Sequence, residues 1–239
     1  QDDLKSRRAR LMEKLSPETM AIFWSAPTRV YSHDVDYEYR QDSYMFYLSG
    51  IDQEETILVL MPGNATRKEL LFIREADARR EHWEGHSLPA AEATAQSGVK
   101  TVMMANEFEP FIAGMLSRRA SGSNAAEQAR FFEAVAGNRA RLVLMLERQT
   151  DLDAPLGPVT AFAAKLRDRF FGFSVEDATP IVHALRQIKT PYEQDVMPYA
   201  KKLPTEVSPR SLVEMKREMW AAQFQPLGEA IDAANADMP

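Results

Sequence analysis

The chain contains no cysteine among its 239 residues. Disulfide bonds, thiol catalysis and cysteine-ligated zinc or iron–sulfur sites are therefore excluded. Glycine is sparse, with 10 residues, and no G-x-G-x-x-G or Walker pattern occurs, so a phosphate-cradling loop is not predicted. No apolar run approaches the roughly 20 residues that a membrane-spanning helix needs, so a membrane is not expected as a partner.

The charge balance is acidic, with 35 acidic against 29 basic residues and a formal net charge of -6. Nucleic acids and anionic membranes bind basic surfaces, so neither is expected as a partner. Hydrophobic residues make up 45% of the chain, which is enough for one sizeable core. The first residue is Gln1 rather than Met, which fits removal of an export signal as well as a cytoplasmic protein, so the compartment stays open.

Apolar runs alternate with helical patterns along most of the chain. Strands are predicted at Ala21–Ala26, Glu55–Met61, Lys68–Arg74, Lys100–Met104, Arg141–Glu147 and Phe173–Val175. Helices are predicted at Leu4–Leu15, Ala76–Glu84, Pro89–Gln96, Glu107–Arg118, Ala125–Ala136, Pro155–Phe171 and Ser208–Trp220. The second and third strands flank a Pro-Gly-Asn turn and should form a hairpin. We therefore predict an α/β layered domain over residues 1–177, with a mixed β-sheet flanked by helices, and a linker with a helical tail over residues 178–239.

The segment Asp34–Gly50, DVDYEYRQDSYMFYLSG, combines five aromatic residues with acids and one arginine. A buried strand would not carry so many charges, and a surface loop would not carry so many rings. The mixture indicates a partly buried wall that presents polar groups to a ligand or a partner. The segment resembles the pattern D-x-x-Y-x-Y-R-Q-x-S-x-x-x-Y-L-x-G of the N-terminal domain in the aminopeptidase P, prolidase and creatinase family.

Two further motifs carry the same resemblance, in the order that the family has them. Trp83-Glu84-Gly85 is similar to a W-x-G motif, although His86 stands where the family has a basic residue. Residues 181–197 resemble the linker into the catalytic domain, and Thr190-Pro191-Tyr192-Glu193 is also a helix-capping signature. The resemblance implies the creatinase-type N-terminal fold for the first domain. It ends at Met197, and the remaining ~40 residues are too few for the family's catalytic domain.

The resemblance implies that the parent protein is an Xaa-Pro aminopeptidase, a metallopeptidase that cleaves the bond between a first residue and a following proline. In the family, two divalent metal ions, Mn or Zn, are held by acidic residues and a histidine of the downstream domain. None of those ligand motifs occurs here, so no catalytic or metal-binding residue is expected and the chain alone should be inactive. His82 and His86 have the i, i+4 spacing of zinc-binding helices, but no third ligand accompanies them, and two surface histidines are the simpler interpretation.

The candidate residues for a substrate entrance or a subunit interface are Asp34, Tyr39, Arg40 and Trp83. Arg40 suits a carboxylate because its guanidinium offers a bidentate fork. The resemblance implies that Trp83 leans over the active site of a neighbouring subunit and lies near Arg40 or Tyr39. It also implies a homo-oligomer, in which surfaces bordering Tyr37–Tyr47 make the contacts.

Two alternatives to an aminopeptidase domain stay open at this point. One is a free-standing, non-catalytic module that binds peptides or proteins, because the same fold serves that purpose in a large histone-chaperone subunit. The other is a creatinase-like parent hydrolase, which differs only in its substrate. A full-length protein of roughly 400 residues or more would favour a catalytic parent over a module.

Overall fold

The computed structural model describes residues 1–33, 35–76, 81, 87–119, 125–148, 150–151 and 153–197. Residues 1–188 form one compact unit, and residues 189–239 form a second unit. The first unit contains a central β-sheet with helices on both of its faces. Its strands are β1 (Thr19–Trp24), β2 (Val30–Ser32), β3 (Val35–Asp36), β4 (Ile57–Leu60), β5 (Glu69–Ile73), β6 (Thr101–Met104), β7 (Ala140–Leu144) and β8 (Phe173–Asp177). Its helices are α1 (Asp2–Met12), α2 (Ser43–Ser49), α3 (Ala90–Ser97), α4 (Phe108–Leu116), α5 (Ala125–Ala136), α6 (Pro158–Arg167) and α7 (Thr179–Gln187), with a 3-10 turn at Ala105–Glu107.

The sheet is mixed, and its six strands lie in the order β6-β5-β4-β1-β7-β8. The central strands β1, β4 and β5 pair antiparallel, while β6 and the pair β7 and β8 extend the sheet with parallel strands on either side. The predicted hairpin is confirmed as β4 and β5, in which Ile57 is opposite Phe72. The parallel strands need helical crossovers, which explains why helices cover both faces. The predicted α/β fold with a mixed sheet flanked by helices is confirmed.

Side chains alternate between the two faces of the sheet because successive residues of a strand point in opposite directions. In β1, Ala21 and Phe23 join the core under α1, α2, α3 and α7, whereas Met20 and Ile22 join the core under α4, α5 and α6. Both faces of this strand are therefore buried, and its sequence is apolar without a polar alternation.

A buried arginine of α1, Arg8, anchors this helix against the rest of the first unit. Arg8 is fully buried and donates to the carbonyl oxygens of Leu48 at 2.8 Å and Ser97 at 3.0 Å, which lie at the carboxyl ends of α2 and α3. Its Nε lies 3.0 Å from a carboxylate oxygen of Glu69 in β5. A cation is favourable at helix carboxyl ends, where carbonyls lack intrahelical partners, so Arg8 connects three elements at once.

The aromatic segment does not form one wall, because helix α2 interrupts it. Asp42 caps α2 by accepting hydrogen bonds from the N–H groups of Tyr44 and Met45 at 2.8 and 2.9 Å. Gly50 ends the helix in the left-handed conformation, with φ of 69°. An aspartate and a glycine eight residues apart are helix signals that the aromatic composition obscured.

Helix α7 is a second element that the sequence did not predict, because residues 181–197 resemble a linker. Its buried residues Val182 and Leu185 pack in the core cluster that contains Ala178 and Phe23. The predicted helix Pro155–Phe171 is shorter in the structure, beginning at Pro158 and ending at Arg167. The predicted helices Ala76–Glu84 and Ser208–Trp220 lie wholly or mainly outside the described residues.

The second unit is described only as far as residue 197, and its residues 191–197 are helical. The capping signature is confirmed there as two reciprocal hydrogen bonds. The Thr190 N–H donates to Glu193 Oε2 at 2.9 Å, and the Glu193 N–H donates to Thr190 Oγ1 at 3.2 Å.

Candidate functional site

A cleft lies beyond the carboxyl end of strand β1, between the sheet and the segment 37–43. It consists of two adjoining cavities, of about 690 and 610 Å³, that share Ala26, Pro27, Arg29 and Asp42 in their linings. The larger cavity has an apolar wall that includes Trp24 and Phe162, whose rings meet edge-to-face at 5.2 Å. The crevice beyond the carboxyl ends of strands is where α/β sheets generally bind ligands, so we take this cleft as the candidate site.

The buried side chain of Gln41 holds the cleft together. Its Oε1 accepts hydrogen bonds from the N–H groups of Ala26 at 2.9 Å and Asp42 at 2.8 Å. Its Nε2 donates to the carbonyl oxygens of Ile51 at 3.2 Å and Gln53 at 3.0 Å. One amide therefore fixes the exit of β1, the start of α2 and the loop after α2 relative to one another.

Tyr39 lies half-buried against this amide. Its hydroxyl is 3.1 Å from Gln41 Oε1 and 3.3 Å from the carbonyl oxygen of Ala26. Burial raises the pKa of Tyr39 to about 12, the carboxylates of Asp52 and Glu54 add to the rise, and a hydrogen bond with Ser25 opposes it. The phenol therefore stays protonated at physiological pH and serves as a hydrogen-bonding group rather than as a base.

Arg29 and Arg40 line the smaller cavity and are both exposed. Neither guanidinium forms an ion pair with a residue that the structure describes. Of the two carboxylates in the same lining, Asp42 is occupied in capping α2, and Glu38 is exposed. The two guanidinium groups therefore offer bidentate donors to a carboxylate that reaches the cleft.

Glu147 borders the larger cavity at the amino end of α6. Its carboxylate accepts hydrogen bonds from the N–H groups of Val159 at 2.7 Å and Thr160 at 2.9 Å, and from the Thr160 hydroxyl at 2.7 Å. Burial alone would raise the pKa of Glu147, but these hydrogen bonds outweigh it and hold that pKa below its ordinary value. Glu147 is therefore a helix cap and not a proton donor.

Between the cleft residues Arg29 and Tyr37, the chain forms a two-stranded ribbon of β2 and β3. Its four large apolar side chains are exposed, at 63% for Val30, 65% for Tyr31, 53% for Val35 and 56% for Tyr37. The rings of Tyr31 and Tyr37 meet edge-to-face at 5.0 Å across the ribbon. β-branched and aromatic residues usually occupy strands with one buried face, so this ribbon presents a surface that is more apolar than solvent favours.

The structure brings two of the four predicted site residues into one place. Tyr39 and Arg40 both line the smaller cavity of the cleft. Asp34 and Trp83 lie outside the described residues, and so does the His82 and His86 pair. Arg29 was not singled out from the sequence, and its distance of 11 positions from Arg40 explains why no local pattern indicated it.

No group of three or more potential metal-ligating side chains occurs within the part of the chain that the structure describes. The residues present there therefore do not fit a di-metal centre. None of the described helices combines the length and the apolar composition that crossing a bilayer requires.

The α/β architecture matches known proteins. The family described as "Aminopeptidase P, N-terminal domain" matches residues 4–123, about half of the chain, and the chain belongs to this family. The Xaa-Pro aminopeptidase of Escherichia coli is 24% identical over 219 residues, which cover 91% of this chain and 46% of that protein.

Solved structures agree with that assignment. The structure of Pseudomonas aeruginosa aminopeptidase PepP is 26% identical with a TM-score of 0.64, and the match covers 89% of this chain and 43% of that chain. A zinc-substituted E. coli aminopeptidase P in complex with product is 25% identical with a TM-score of 0.59, covering 82% of this chain and 40% of that one. The chain thus spans less than half the length of these relatives.

Proposed function

We propose that the chain is the N-terminal domain of an Xaa-Pro aminopeptidase-like metallopeptidase, that it assembles the oligomer, and that it shapes the substrate entrance. The observation that carries the proposal is the juxtaposition of the Tyr39 and Arg40 cleft with the exposed apolar ribbon in a chain of this family. The two divalent ions of the parent enzyme, Mn or Zn, would be held by a catalytic domain outside the described residues.

The entrance role rests on Arg40 and its neighbour Arg29. Both guanidinium groups reach the cleft without a described carboxylate partner, so an acidic side chain or the carboxyl end of a peptide would find charge-assisted donors there. The protonated hydroxyl of Tyr39, in the same lining, lies within hydrogen-bonding distance of Gln41 and Ala26. These three side chains would then orient a peptide that approaches the catalytic centre of the assembled enzyme.

The assembly role rests on the ribbon. A two-stranded ribbon is marginally stable in water without further packing, and this one exposes four large apolar side chains. Charges of both signs, Asp36, Glu38, Arg29 and Arg40, lie on the ribbon and its flanks. An isologous dimer about a twofold axis is the commonest closed form and is the expected one here, with these apolar side chains buried against their copies.

The assembly is tested by replacing Tyr31 and Tyr37 together with serine. The contact should be of standard size, about 800 Å² per partner, and removing its two largest side chains should shift the chain toward monomer. Replacing Phe171, which is 83% exposed and lies far along the sequence, with serine gives a matched control. Equal association of the doubly substituted chain and the control would remove the ribbon from the interface.

Catalysis is tested separately with an Xaa-Pro peptide. The chain alone, with added Mn²⁺ or Zn²⁺, should release no N-terminal residue above a protein-free blank, because the described residues form no cluster of three or more potential metal ligands. Release of the N-terminal residue would contradict the proposal. Full inactivity together with tight binding of a proline-free peptide would favour the free-standing binding module instead.

A further inference from the structure

A separate cavity of about 310 Å³ lies on the opposite face of the sheet from α1, between the turn that joins β4 to β5 and helices α4 and α5. Its apolar wall consists of Met61, Leu70, Met103, Phe111 and Met115. The volume is at the lower end of the range for small-molecule sites. Seven of the fourteen lining residues are polar or charged, so the cavity combines this apolar wall with groups that could orient a ligand. Thioethers and an aromatic ring suit a flat aromatic ligand, because sulfur and ring edges pack favourably on π faces.

The two carboxylates at this cavity are already engaged by hydrogen-bond donors of the chain. Glu127 accepts from the Thr66 N–H at 3.0 Å and from the Thr66 hydroxyl at 2.8 Å, and these bonds lower the pKa of Glu127. Glu107 Oε2 accepts from the N–H of Met104 at 2.8 Å. Both negative charges are therefore directed at the backbone rather than at a cation.

The two arginines at the same cavity have no such engagement. Arg67 and Arg119 are exposed, and neither guanidinium forms an ion pair or hydrogen bond with the residues that the structure describes. The cavity thus combines satisfied carboxylates with guanidinium groups that lack an acceptor. This combination favours an anion, and the planar fork of arginine favours a carboxylate.

Gln128 adds a third feature to the cavity. Its Oε1 is buried and accepts no hydrogen bond within the described part of the chain. A buried acceptor without a donor costs free energy, and a ligand that supplies an N–H or O–H would recover it.

We propose that this cavity binds a small aromatic carboxylate that carries a hydrogen-bond donor on its ring system. The ring lies on the methionine and Phe111 wall, the carboxylate meets Arg67 and Arg119, and the ring N–H or O–H donates to Gln128 Oε1. The lining of this cavity shares no residue with the candidate cleft or the exposed ribbon, so the inference does not depend on the assembly role.

Isothermal titration of the whole chain with indole-3-acetate tests the proposal. The dissociation constant should be about 1 mM or lower, as expected for a ligand of this size in a formed pocket. Indole-3-acetamide, which lacks the negative charge, should bind about tenfold more weakly or worse. 1-Naphthaleneacetate, which lacks the ring N–H, should also bind more weakly than indole-3-acetate. The Gln128→Leu chain should bind these two acids with equal dissociation constants, because the acceptor of the ring N–H is then absent.

Substitutions of the lining residues test whether the ligand binds in this cavity. Gly114 lies on α4 in the cavity lining, and a Cβ added there meets its nearest atom at an ordinary 3.5 Å. Gly114→Leu should therefore fold, fill the cavity and abolish binding. Arg67→Ala and Arg119→Ala should each weaken binding about fivefold or more, whereas Arg148→Ala, at an exposed arginine outside the lining, should leave it unchanged.

Three results would overturn the proposal. They are no measurable binding of indole-3-acetate at millimolar concentration, equal binding of the acid and the amide, and binding that survives Gly114→Leu in a chain with an unchanged circular dichroism spectrum.

Discussion

Replacing Gln41 with alanine should lower the free energy of unfolding by about 2–4 kcal/mol. The side chain bonds two backbone N–H groups and two backbone carbonyls that lie at least partly out of water. Ile51 is fully buried and Gln53 is 9% exposed, so their carbonyls cannot all find water when the amide is removed. Each buried polar group left without a partner costs about 1–3 kcal/mol, so the two carbonyls alone account for about 2 kcal/mol or more. Hydration of the two N–H groups keeps the total near the lower end of the range.

Replacing Gln41 with glutamate gives a sharper test, because the shape is kept and only donor and charge change. A carboxylate still accepts from Ala26 and Asp42, but it cannot donate to the carbonyls of Ile51 and Gln53. Burial and these two carbonyls disfavour the charged form, so the folded state should raise the pKa of the introduced carboxyl above about 4.3, its value in the unfolded chain. The stability of the Gln41→Glu chain should therefore be highest below the unfolded pKa of the introduced carboxyl. It should fall as the pH rises through the pKa of that carboxyl in the folded state.

The assay is thermal unfolding followed by circular dichroism between pH 4 and pH 8. Gln41→Ala should lower the melting temperature by about 5–15 °C, given about 2–4 °C per kcal/mol for a unit of this size. The deficit of Gln41→Glu should be largest at pH 7 and should shrink toward pH 4. Gln187→Glu, at an exposed position, is the matched control for the added charge and should show neither effect. A Gln41→Glu chain as stable as the unmodified chain at pH 7 would refute the role assigned to the amide.

Three further substitutions or titrations follow from individual contacts. Arg8→Met should destabilise the first unit by about 3–5 kcal/mol, measured by urea unfolding, because it leaves two helix-end carbonyls and a carboxylate without the buried cation; a loss below 1 kcal/mol would contradict it. Ultraviolet titration should find Tyr39 ionising near pH 12. Because the pKa of a tyrosine in the unfolded chain is about 10, the free energy of unfolding should fall as pH rises from about 10 toward 12. A titration in which every tyrosine ionises near pH 10 would count against the burial of Tyr39. Gly172→Ala should unfold at a lower temperature than the unmodified chain, because φ is 90° there and a Cβ would clash with the carbonyl of Val135; an unchanged melting temperature would refute this.

Much of the sheet was predictable because its strands are continuous apolar runs between turn signals. Both faces of the central strands are buried, so runs such as the one containing Leu58, Val59 and Leu60 have no polar alternation. The turn after Met61 then identified the hairpin. The capping box of Thr190 and Glu193 was also predictable, since all its atoms lie within four consecutive residues.

The candidate cleft was predictable only in part. Tyr39 and Arg40 belong to a local motif, but Gln41 acts through carbonyls 10 and 12 positions away, and no periodicity in the sequence indicates such bonds. The exposed ribbon was also unpredictable, because valine and tyrosine in a strand normally indicate burial. Exposure of these side chains depends on where the ribbon leaves the sheet, which is a property of the whole fold.

Sedimentation equilibrium of the unmodified chain tests the proposed assembly role most directly. At about 100 µM, an interface of standard size should hold the chain as a dimer or a larger species, because such contacts normally persist at micromolar concentration. Added salt should change the result little, since a net charge of -6 is screened beyond about 8–10 Å at ordinary ionic strength. A measured mass equal to that of one chain at about 100 µM would contradict the account, whereas a measured mass of two chains or more would support it.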